Sequence, residues 1–294
     1  MKITISLLLM ACGLVKVCPG ADRHWERWSV REEETVQKVM TLAGEPGRIV
    51  IDNVDGFVHV TGTDGNQVRV SAHKTIRAET DADAQEAKKE VSLQFTEKPG
   101  TVSVYYDAPW RCHQGQGGCP GEPKNFYNVT YDIDVEVPRS ARLVVSAVNN
   151  GDIRVSSTTG DFEINGINGG IKMNDVAGAG DVHTINGPVT VSFRSNPRGP
   201  CSFKSINGQL EVYFQPGLAA DLLFQTMNGG IYTDFDVTAR PTAAAHGEQR
   251  DGKFIYRSKG PHGARVGQGG PELSFNTLNG SIRLHDTQGA SKNE

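Results

Sequence analysis

The feature that most constrains the fold is an apolar residue followed by Asn-Gly, which recurs along the chain. The units are GINGGIKM, TINGPVTV, SINGQLEV, TMNGGIYT and TLNGSIRL, with corner asparagines at Asn168, Asn186, Asn207, Asn228 and Asn279. Successive asparagines are 18, 21, 21 and 51 residues apart. A period near 20 residues is typical of repeat proteins in which each unit stacks on the one before.

Apolar residues occupy fixed columns around each Asn-Gly, in the alternation of two short strands that meet at a corner. They fall six, four and one positions before the asparagine and three and five positions after it. Period-two alternation buries one face of a strand, so we expect these columns to form the core. Asn and Gly tolerate positive φ, which predicts that they mark the corner. An earlier copy, LVVSAVNNGDIRV, fits if one extra residue is allowed at 149–150.

Two all-β architectures are compatible with these columns. Asn-Gly is a strong hairpin signal, and a series of hairpins would give an antiparallel meander. The unvarying columns favour a β-solenoid or β-roll, in which each coil stacks on the last and the asparagines align. Each buried side chain contributes about 1.5–3 kcal/mol before entropy is subtracted, so only the stack is stable. Cys201 falls in a core column, and we expect a buried thiol rather than a reactive one.

The N-terminus and the composition indicate an exported protein. MKITISLLLMACGLVKVCPG has one lysine, an apolar run and then small residues, which predicts a signal peptide over 1–20. A competing interpretation uses LMAC as a lipobox and leaves Cys12 as a lipid anchor. No later apolar stretch reaches the ~20 residues that a membrane-spanning helix needs. A net charge of −4 argues against nucleic acid as a partner. We expect the protein in the periplasm, on the outer cell surface or secreted.

Disulfides persist in exported proteins, and two cysteines flank the short loop CHQGQGGC. We expect a disulfide between Cys112 and Cys119. A metal site would need more closely spaced ligands than His113 supplies. The sequence therefore predicts a loop closed by a local disulfide.

The segments around the repeats predict one helix and the limits of the domains. Residues 82–92 are expected to form a helix that begins after Thr80 or Asp81 and caps one end of the stack. The side chains expected on its inner face are Ala84, Ala87 and Val91. We divide the chain into 1–20 (signal peptide), 21–44 (linker), 45–141 (N-terminal β part with helix and disulfide loop), 142–285 (repeats, with insert 234–268) and 286–294 (flexible tail).

Two segments interrupt the repeats, and we expect any binding surface to lie there. The insert places basic side chains around aromatic ones, and the disulfide loop follows a Trp-Arg pair. Insertions in repeat proteins gather on one face and often bind. The candidate residues are Lys253, Tyr256, Arg257 and Lys259 in the insert, and Trp110 and Arg111 before the loop. A solvated hairpin extension is the alternative interpretation of the insert.

The repeats, RIVIDNVDGFVHVTG, the helix after it and VPRSARLVVSAVNNGDIRV together resemble the putative-adhesin family of bacterial β-strand-repeat proteins. Gly-Ile-Asn at 166–168 is similar to the signature of the GIN domain in the heads of autotransporter adhesins. GQGGPELSFNTLNGSIRL resembles the family's closing repeat. The resemblance covers residues 45–285 and implies a right-handed or roll-like β-solenoid on the cell envelope, with no catalytic motif.

The sequence thus predicts an exported, non-enzymatic adhesin or envelope scaffold whose partner is an envelope or extracellular glycan or protein. No hydrolase, metalloprotease or phosphate-loop motif occurs, and we expect no cofactor or metal. One alternative is an envelope-stress or regulatory module that binds a membrane partner. The other is a carbohydrate-active enzyme with Asp152, Asp161 and Asp181 as candidate carboxylates. Because Asp favours corners, we expect these three to be structural.

Overall fold

A computed structural model of the chain describes residues 28–44, 47–111, 126–240, 247–250, 253–256 and 262–290. The first half contains β1 (Val30–Thr41), β2 (Arg48–Asp55), β3 (Val58–Thr63), β4 (Gln67–Ala78), α1 (Asp81–Glu90), β5 (Ser92–Lys98), β6 (Thr101–Asp107), β7 (Tyr127–Pro138), β8 (Arg142–Asn149) and β9 (Ile153–Ser156). The second half contains β10 (Phe162–Gly166), β11 (Ile171–Val176), β12 (Gly180–Asn186), β13 (Val189–Phe193), β14 (Cys201–Asn207), β15 (Leu210–Phe214), β16 (Ala220–Asn228), β17 (Ile231–Thr233), β18 (Val237–Arg240), β19 (Gly247–Arg250), β20 (Lys253–Tyr256), β21 (His262–Val266), β22 (Glu272–Asn279), β23 (Ile282–Asp286) and α2 (Thr287–Ala290).

Two large sheets contain nearly all of these strands, which confirms the all-β prediction. The ten-stranded sheet has the order β1-β4-β7-β3-β9-β11-β13-β15-β23-β17. The eleven-stranded sheet has the order β18-β21-β16-β22-β14-β12-β10-β8-β2-β6-β5, and β19 pairs with β20 alone. Both large sheets mix parallel and antiparallel neighbours.

Each Asn-Gly unit gives one strand to each large sheet. The strand before the corner pairs in parallel with the equivalent strand of its neighbour, as β10 does with β12 and β12 with β14. The strand after the corner does the same in the other sheet, as β11 does with β13 and β13 with β15. Because hairpins would pair these strands antiparallel, the meander interpretation is wrong for the repeats.

The order of the units differs from the order in the sequence. The last unit, β22 and β23, lies between the unit of β14 and β15 and the unit of β16 and β17. The insert explains this arrangement, because its strands β18 and β21 pair antiparallel and continue the sheet beyond β16. The expectation that each coil stacks on the one before it in sequence is therefore wrong at this end.

The core lies between the inner faces of the two large sheets, and four of the five predicted columns fill it. Residues six and four positions before the corner asparagine are buried, as are those three and five positions after it in most units; examples are Phe162, Ile164, Ile171, Met173, Val189 and Val191. Cys201 is 3% exposed, and burial raises the pKa of its thiol to about 11. The buried-thiol prediction is confirmed.

The fifth column, directly before the asparagine, was expected in the core and instead faces solvent. Its exposed members are Ile167, Ile206, Met227 and Leu278, at 37–63%. Each lies three residues after a buried strand position, Ile167 directly after the end of β10 and the others within their strands, and an odd spacing places a side chain on the opposite face. Since the strands pair in register, this column forms an aliphatic row on the outer face of the eleven-stranded sheet.

The N-terminal end is built from antiparallel strands and the predicted helix. Helix α1 begins after Thr80, whose side chain and Asp83 form a reciprocal capping box. The helix packs against β1, β4 and β7, which lie at one end of the ten-stranded sheet. The residues predicted for its inner face, Ala84, Ala87 and Val91, are all buried. Lys74 is buried beside it and donates Nζ to the carbonyl oxygen of Val91 at 2.9 Å.

Candidate functional site

The outer face of the ten-stranded sheet carries two rows of polar side chains on β3, β9, β11 and β13. Parallel pairing places equivalent residues of these neighbouring strands side by side. The first row is His59, Arg154, Lys172 and Thr190. The second row, two residues further along each strand, is Thr61, Ser156, Asn174 and Ser192. Every second side chain points away from the core, so both rows face solvent.

Seven of these eight residues, all except Ser192, line an open cavity of about 640 Å³, which also contacts Asp134 and Asp152. A second cavity of about 530 Å³ adjoins it at the corner of the units, next to Phe57 and Asn168. His59, Asp152 and Arg154 line both cavities. We call the two together the outer-face groove; it is the strongest candidate site among the described residues.

One side of the outer-face groove is aromatic. The rings of Phe57 and His59 stack with their centroids 4.1 Å apart and their planes inclined by 18°. The Nδ1 atom of His59 lies 3.2 Å from Oδ1 of Asp134, which fixes the orientation of the imidazole. Neither ring is fully buried, so the pair presents an aromatic surface to the groove.

The outer-face groove contains equal numbers of positively and negatively charged side chains. Its lining contains two cations, Arg154 and Lys172, and two carboxylates, Asp134 and Asp152, so with histidine counted as neutral it carries no net charge. Arg154 lies 3.9 Å from Asp152, a distance too long for a hydrogen bond. Lys172 has no hydrogen bond or ion pair with any residue that the structure describes. Both cations are therefore available to a ligand.

A continuous line of asparagines runs along the corner beside the groove. From the second asparagine onward, the side-chain Nδ2 donates to Oδ1 of the preceding asparagine in the line, at 2.7–2.9 Å. In spatial order the line is Asn149, Asn168, Asn186, Asn207, Asn279 and Asn228. All five predicted corner asparagines belong to it, and Asn149 of the earlier copy extends it.

The glycine after each asparagine is required by close approach rather than by its backbone conformation. A Cβ on Gly169 would lie 2.2 Å from the carbonyl oxygen of Gly151, and one on Gly208 would lie 1.9 Å from that of Gly187. Of the five corner glycines only Gly187 has positive φ, at 158°, and none of the five asparagines does. The positive-φ explanation for the corner is therefore wrong.

The same glycine carbonyls accept hydrogen bonds from buried hydroxyl groups two positions before the asparagine. Thr184 donates to Gly169 at 2.9 Å, and Ser205 donates to Gly187 at 3.0 Å. A methyl group on the glycine would displace both the backbone and this bond. Asparagine, glycine and hydroxyl therefore act together to join one corner to the next.

Trp110, Arg111, Lys253 and Tyr256 are not among the residues that line the outer-face groove, and the other predicted residues are outside the described residues. The guanidinium of Arg111 is 2.9 Å from Oδ2 of Asp52 and lies over the ring of Tyr105, 4.4 Å from its centroid. Trp110 is half-buried and contacts Tyr127. Lys253 and Tyr256 are in β20. Arg257, Lys259, Cys112, Cys119 and the signal peptide with Cys12 are outside the described residues.

The aspartates considered for catalysis join neighbouring units. Oδ1 of Asp152 accepts from the backbone N–H of Gly170 at 2.9 Å, and Oδ1 of Asp161 accepts from that of Ala179 at 3.0 Å. Asp181 is exposed. Within the described residues no group of three or more His, Cys, Asp or Glu side chains is arranged to hold a metal ion. No described helix has the length and hydropathy to cross a bilayer.

Sequence reasoning missed the groove, although the repeat contains a signal for it. The residue four positions after the corner asparagine lies between two core columns, so it must point outward. With the earlier copy counted from Asn150, that column reads Arg154, Lys172, Thr190, Glu211, Tyr232 and Arg283. The residue type in this column varies from unit to unit, which indicates an exposed surface. The order of these residues in space follows only from the pairing of the strands.

No protein-family model and no curated protein sequence matches the chain. Solved structures resemble it at low identity. A putative cell adhesion protein from Clostridium sporogenes ATCC 15579 is 9% identical, with a TM-score of 0.41, and the match covers 86% of this chain and 100% of that one. A putative adhesin from Bacteroides fragilis NCTC 9343 is 11% identical, with a TM-score of 0.37 and coverage of 86% and 97%. A putative lipid binding protein from Parabacteroides distasonis ATCC 8503 is 11% identical, with a TM-score of 0.29 and coverage of 85% and 96%.

Proposed function

We propose that this chain is an exported, non-enzymatic β-solenoid protein that binds an envelope or extracellular ligand, as an adhesin or scaffold does. The observation that carries the proposal is the outer-face groove, in which two cations and an aromatic pair are exposed on a rigid sheet. Sites on regular strands hold their side chains in fixed positions, which favours recognition. The proposed signal peptide over 1–20 and the disulfide between Cys112 and Cys119 fit an exported protein.

The β-solenoid description rests on the parallel units and on the line of corner asparagines. Each unit turns at the same place and hydrogen-bonds to the next one in both sheets. In such a stack α1 would cap the N-terminal end, and the strands of the insert would cap the other. The stack then serves as a stiff support for the outer-face groove.

The non-enzymatic part of the proposal follows from the use of the aspartates. Glycoside hydrolysis needs two carboxylates that converge on one bond, and one of them must be able to give or take a proton there. Asp152 and Asp161 each accept a backbone N–H of the neighbouring unit. Asp134 in the groove is engaged by His59. These roles are structural or positioning ones.

The experiment uses purified residues 21–294 on a panel of immobilised envelope and matrix polysaccharides and proteins, with retention and new reducing ends measured in the same samples. Retention without product supports the proposal. Retention should be lost in the double variant Arg154→Ala, Lys172→Ala. The matched control is Arg142→Ala, Lys204→Ala, which removes the same residue types from exposed positions on the other large sheet.

A third variant tests the site predicted in the insert. Tyr256→Ala, Arg257→Ala, Lys259→Ala removes its aromatic and basic groups together. If retention is lost only in this variant, the insert and not the groove is the binding site. New reducing ends would contradict the non-enzymatic proposal, and absence of retention on every surface would contradict the adhesin proposal.

A further inference from the structure

The chemistry of the outer-face groove identifies a class of ligand. The groove crosses four neighbouring strands, β3, β9, β11 and β13, which at the usual spacing span about 14 Å. Such a length suits several connected units of a polymer rather than one small molecule. All four strands are interior to the ten-stranded sheet, so their backbone groups are already paired.

That pairing argues against an extended peptide. Peptides that bind to sheets do so at an open edge, where the free backbone groups supply the affinity. The outer-face groove offers side chains only. Its balanced charge also argues against a polyanion or a polycation, because Asp134 and Asp152 would repel the former, and Arg154 and Lys172 the latter.

Sugar hydroxyls donate and accept hydrogen bonds at once, so a site for them needs both kinds of partner. The groove has donors in Arg154 and Lys172, an acceptor in Oδ2 of Asp152, which is in ion-pair range of Arg154 at 3.9 Å but not hydrogen-bonded to it, and groups of both kinds in Ser156 and Asn174. The guanidinium, carboxylate and amide are planar, and each can contact two adjacent hydroxyl groups together.

The aromatic side of the groove supplies the second element of sugar recognition. One face of a pyranose ring exposes only C–H groups and packs on the negative face of an aromatic ring. Phe57 and His59 form such a surface, and the 3.2 Å contact between Nδ1 of His59 and Oδ1 of Asp134 holds the imidazole in place.

We propose that the outer-face groove binds a neutral oligosaccharide, with one sugar ring on the Phe57–His59 pair and hydroxyl groups on Arg154, Asp152 and Lys172. This inference rests on the proposed function and names the ligand of the same site. Because no net charge is involved, the affinity depends little on ionic strength.

The test is calorimetric titration of residues 21–294 with neutral hexasaccharides of the cello, malto, laminari and manno series, and with polygalacturonate as the acidic comparator. We expect at least one neutral hexasaccharide to bind, with similar affinity at low and high salt. Phe57→Leu keeps the apolar volume but removes the aromatic face, and should weaken binding about tenfold or more. Lys172→Ala removes a donor that has no partner in the described structure and should weaken binding by a smaller factor.

The control is again Arg142→Ala, Lys204→Ala, which should bind as the parent does, and thermal unfolding shows that each variant is folded. The inference is overturned if no neutral hexasaccharide binds, if only polygalacturonate binds, or if Phe57→Leu and Lys172→Ala, both folded, bind as the parent does. If the panel retains the chain through Arg154 and Lys172 while no neutral hexasaccharide binds, the ligand class is wrong and the proposed function stands.

Discussion

The repeat units and the N-terminal end solve the same problem, joining strands across two sheets, by different means. In the repeats the corners use the same asparagine and glycine contacts, and four of the five units add the same hydroxyl contact. At the N-terminal end the contacts are individual: Asn53 donates to the carbonyl oxygens of Gly56 and Tyr131, and buried Asp55 accepts from Asn128 and Asn150. Of the charged side chains in the described residues, the two buried ones, Asp55 and Lys74, lie there. The repeat units are thus joined by one set of contacts used again in each unit, whereas the N-terminal end uses single contacts that include buried charges.

The largest expected effect tests whether close approach defines the corner. Gly169→Ala places Cβ 2.2 Å from the carbonyl oxygen of Gly151, so the units must separate, and the free energy of unfolding should fall by about 3 kcal/mol or more. Gly170→Ala, one residue later, meets nothing closer than 3.4 Å and should cost less than about 1 kcal/mol. Urea denaturation measures both; equal losses would contradict the close-approach explanation.

The next effect tests the order of the units. Asn279 makes two bonds in the asparagine line, one to Asn207 and one from Asn228, whereas Asn228 makes one. Asn279→Ala should therefore cost about 2 kcal/mol and Asn228→Ala about 1 kcal/mol. If the units stacked in sequence order, Asn279 would be terminal and the ranking would reverse. Chemical denaturation of the two variants decides between these arrangements.

A smaller effect concerns the buried charge at the N-terminal end. Burial lowers the pKa of Lys74 from its usual 10.5, although the carboxylate of Glu34 opposes this. The unfolded chain then binds the proton more tightly, so the free energy of unfolding contributed by Lys74 rises with pH until pH 10.5 is reached. Lys74→Met should remove that rise. Denaturation at a series of pH values measures it, and Lys98→Met, at an exposed lysine of β5, should keep the parental slope.

The smallest effect concerns the aliphatic row on the outer face. Ile167→Thr changes a side chain that is 37% exposed, and should alter the free energy of unfolding by no more than about 0.5 kcal/mol. The matched change Ile164→Thr, three residues earlier in β10 and fully buried, introduces a hydroxyl into the core and should cost several times as much. Comparable losses would mean that the row belongs to the core after all.

Local pattern was sufficient to predict the strands, the helix and most of the core. Period-two alternation located residues such as Ile164 and Ile171, and a capping residue located α1 to within two residues. The pattern gave a wrong prediction for the column directly before the asparagine. Its residues, such as Ile206, are apolar but an odd number of positions from the buried residues, so they face solvent. The sequence alone does not show whether a glycine is required for a positive φ or because another backbone lies too close for a Cβ. At Gly169 the second reason applies, and only the position of the Gly151 carbonyl in the structure reveals it.

The order of the units and the groove were beyond sequence reasoning for one shared reason. Both depend on which unit lies next to which, and contacts between units more than fifty residues apart leave no local trace. His59 and Arg154 are neighbours only because β3 pairs with β9. The predicted binding residues are in the insert and beside the loop of 112–119, which interrupt the repeats. The groove is instead formed by the regular strands.

The position of the last unit has a consequence for biosynthesis. Residues 201–214 and 220–233 are synthesised before 272–286, but their strands do not pair with each other in the finished protein, because 272–286 lies between them in both sheets. Until the C-terminal residues emerge, both neighbours have open strand edges, which are prone to aggregation. Closing the stack depends on contacts that are remote in sequence and therefore slow to form. A chain truncated before residue 272 lacks the strands that pair with both neighbours, so each of those two units keeps an open edge.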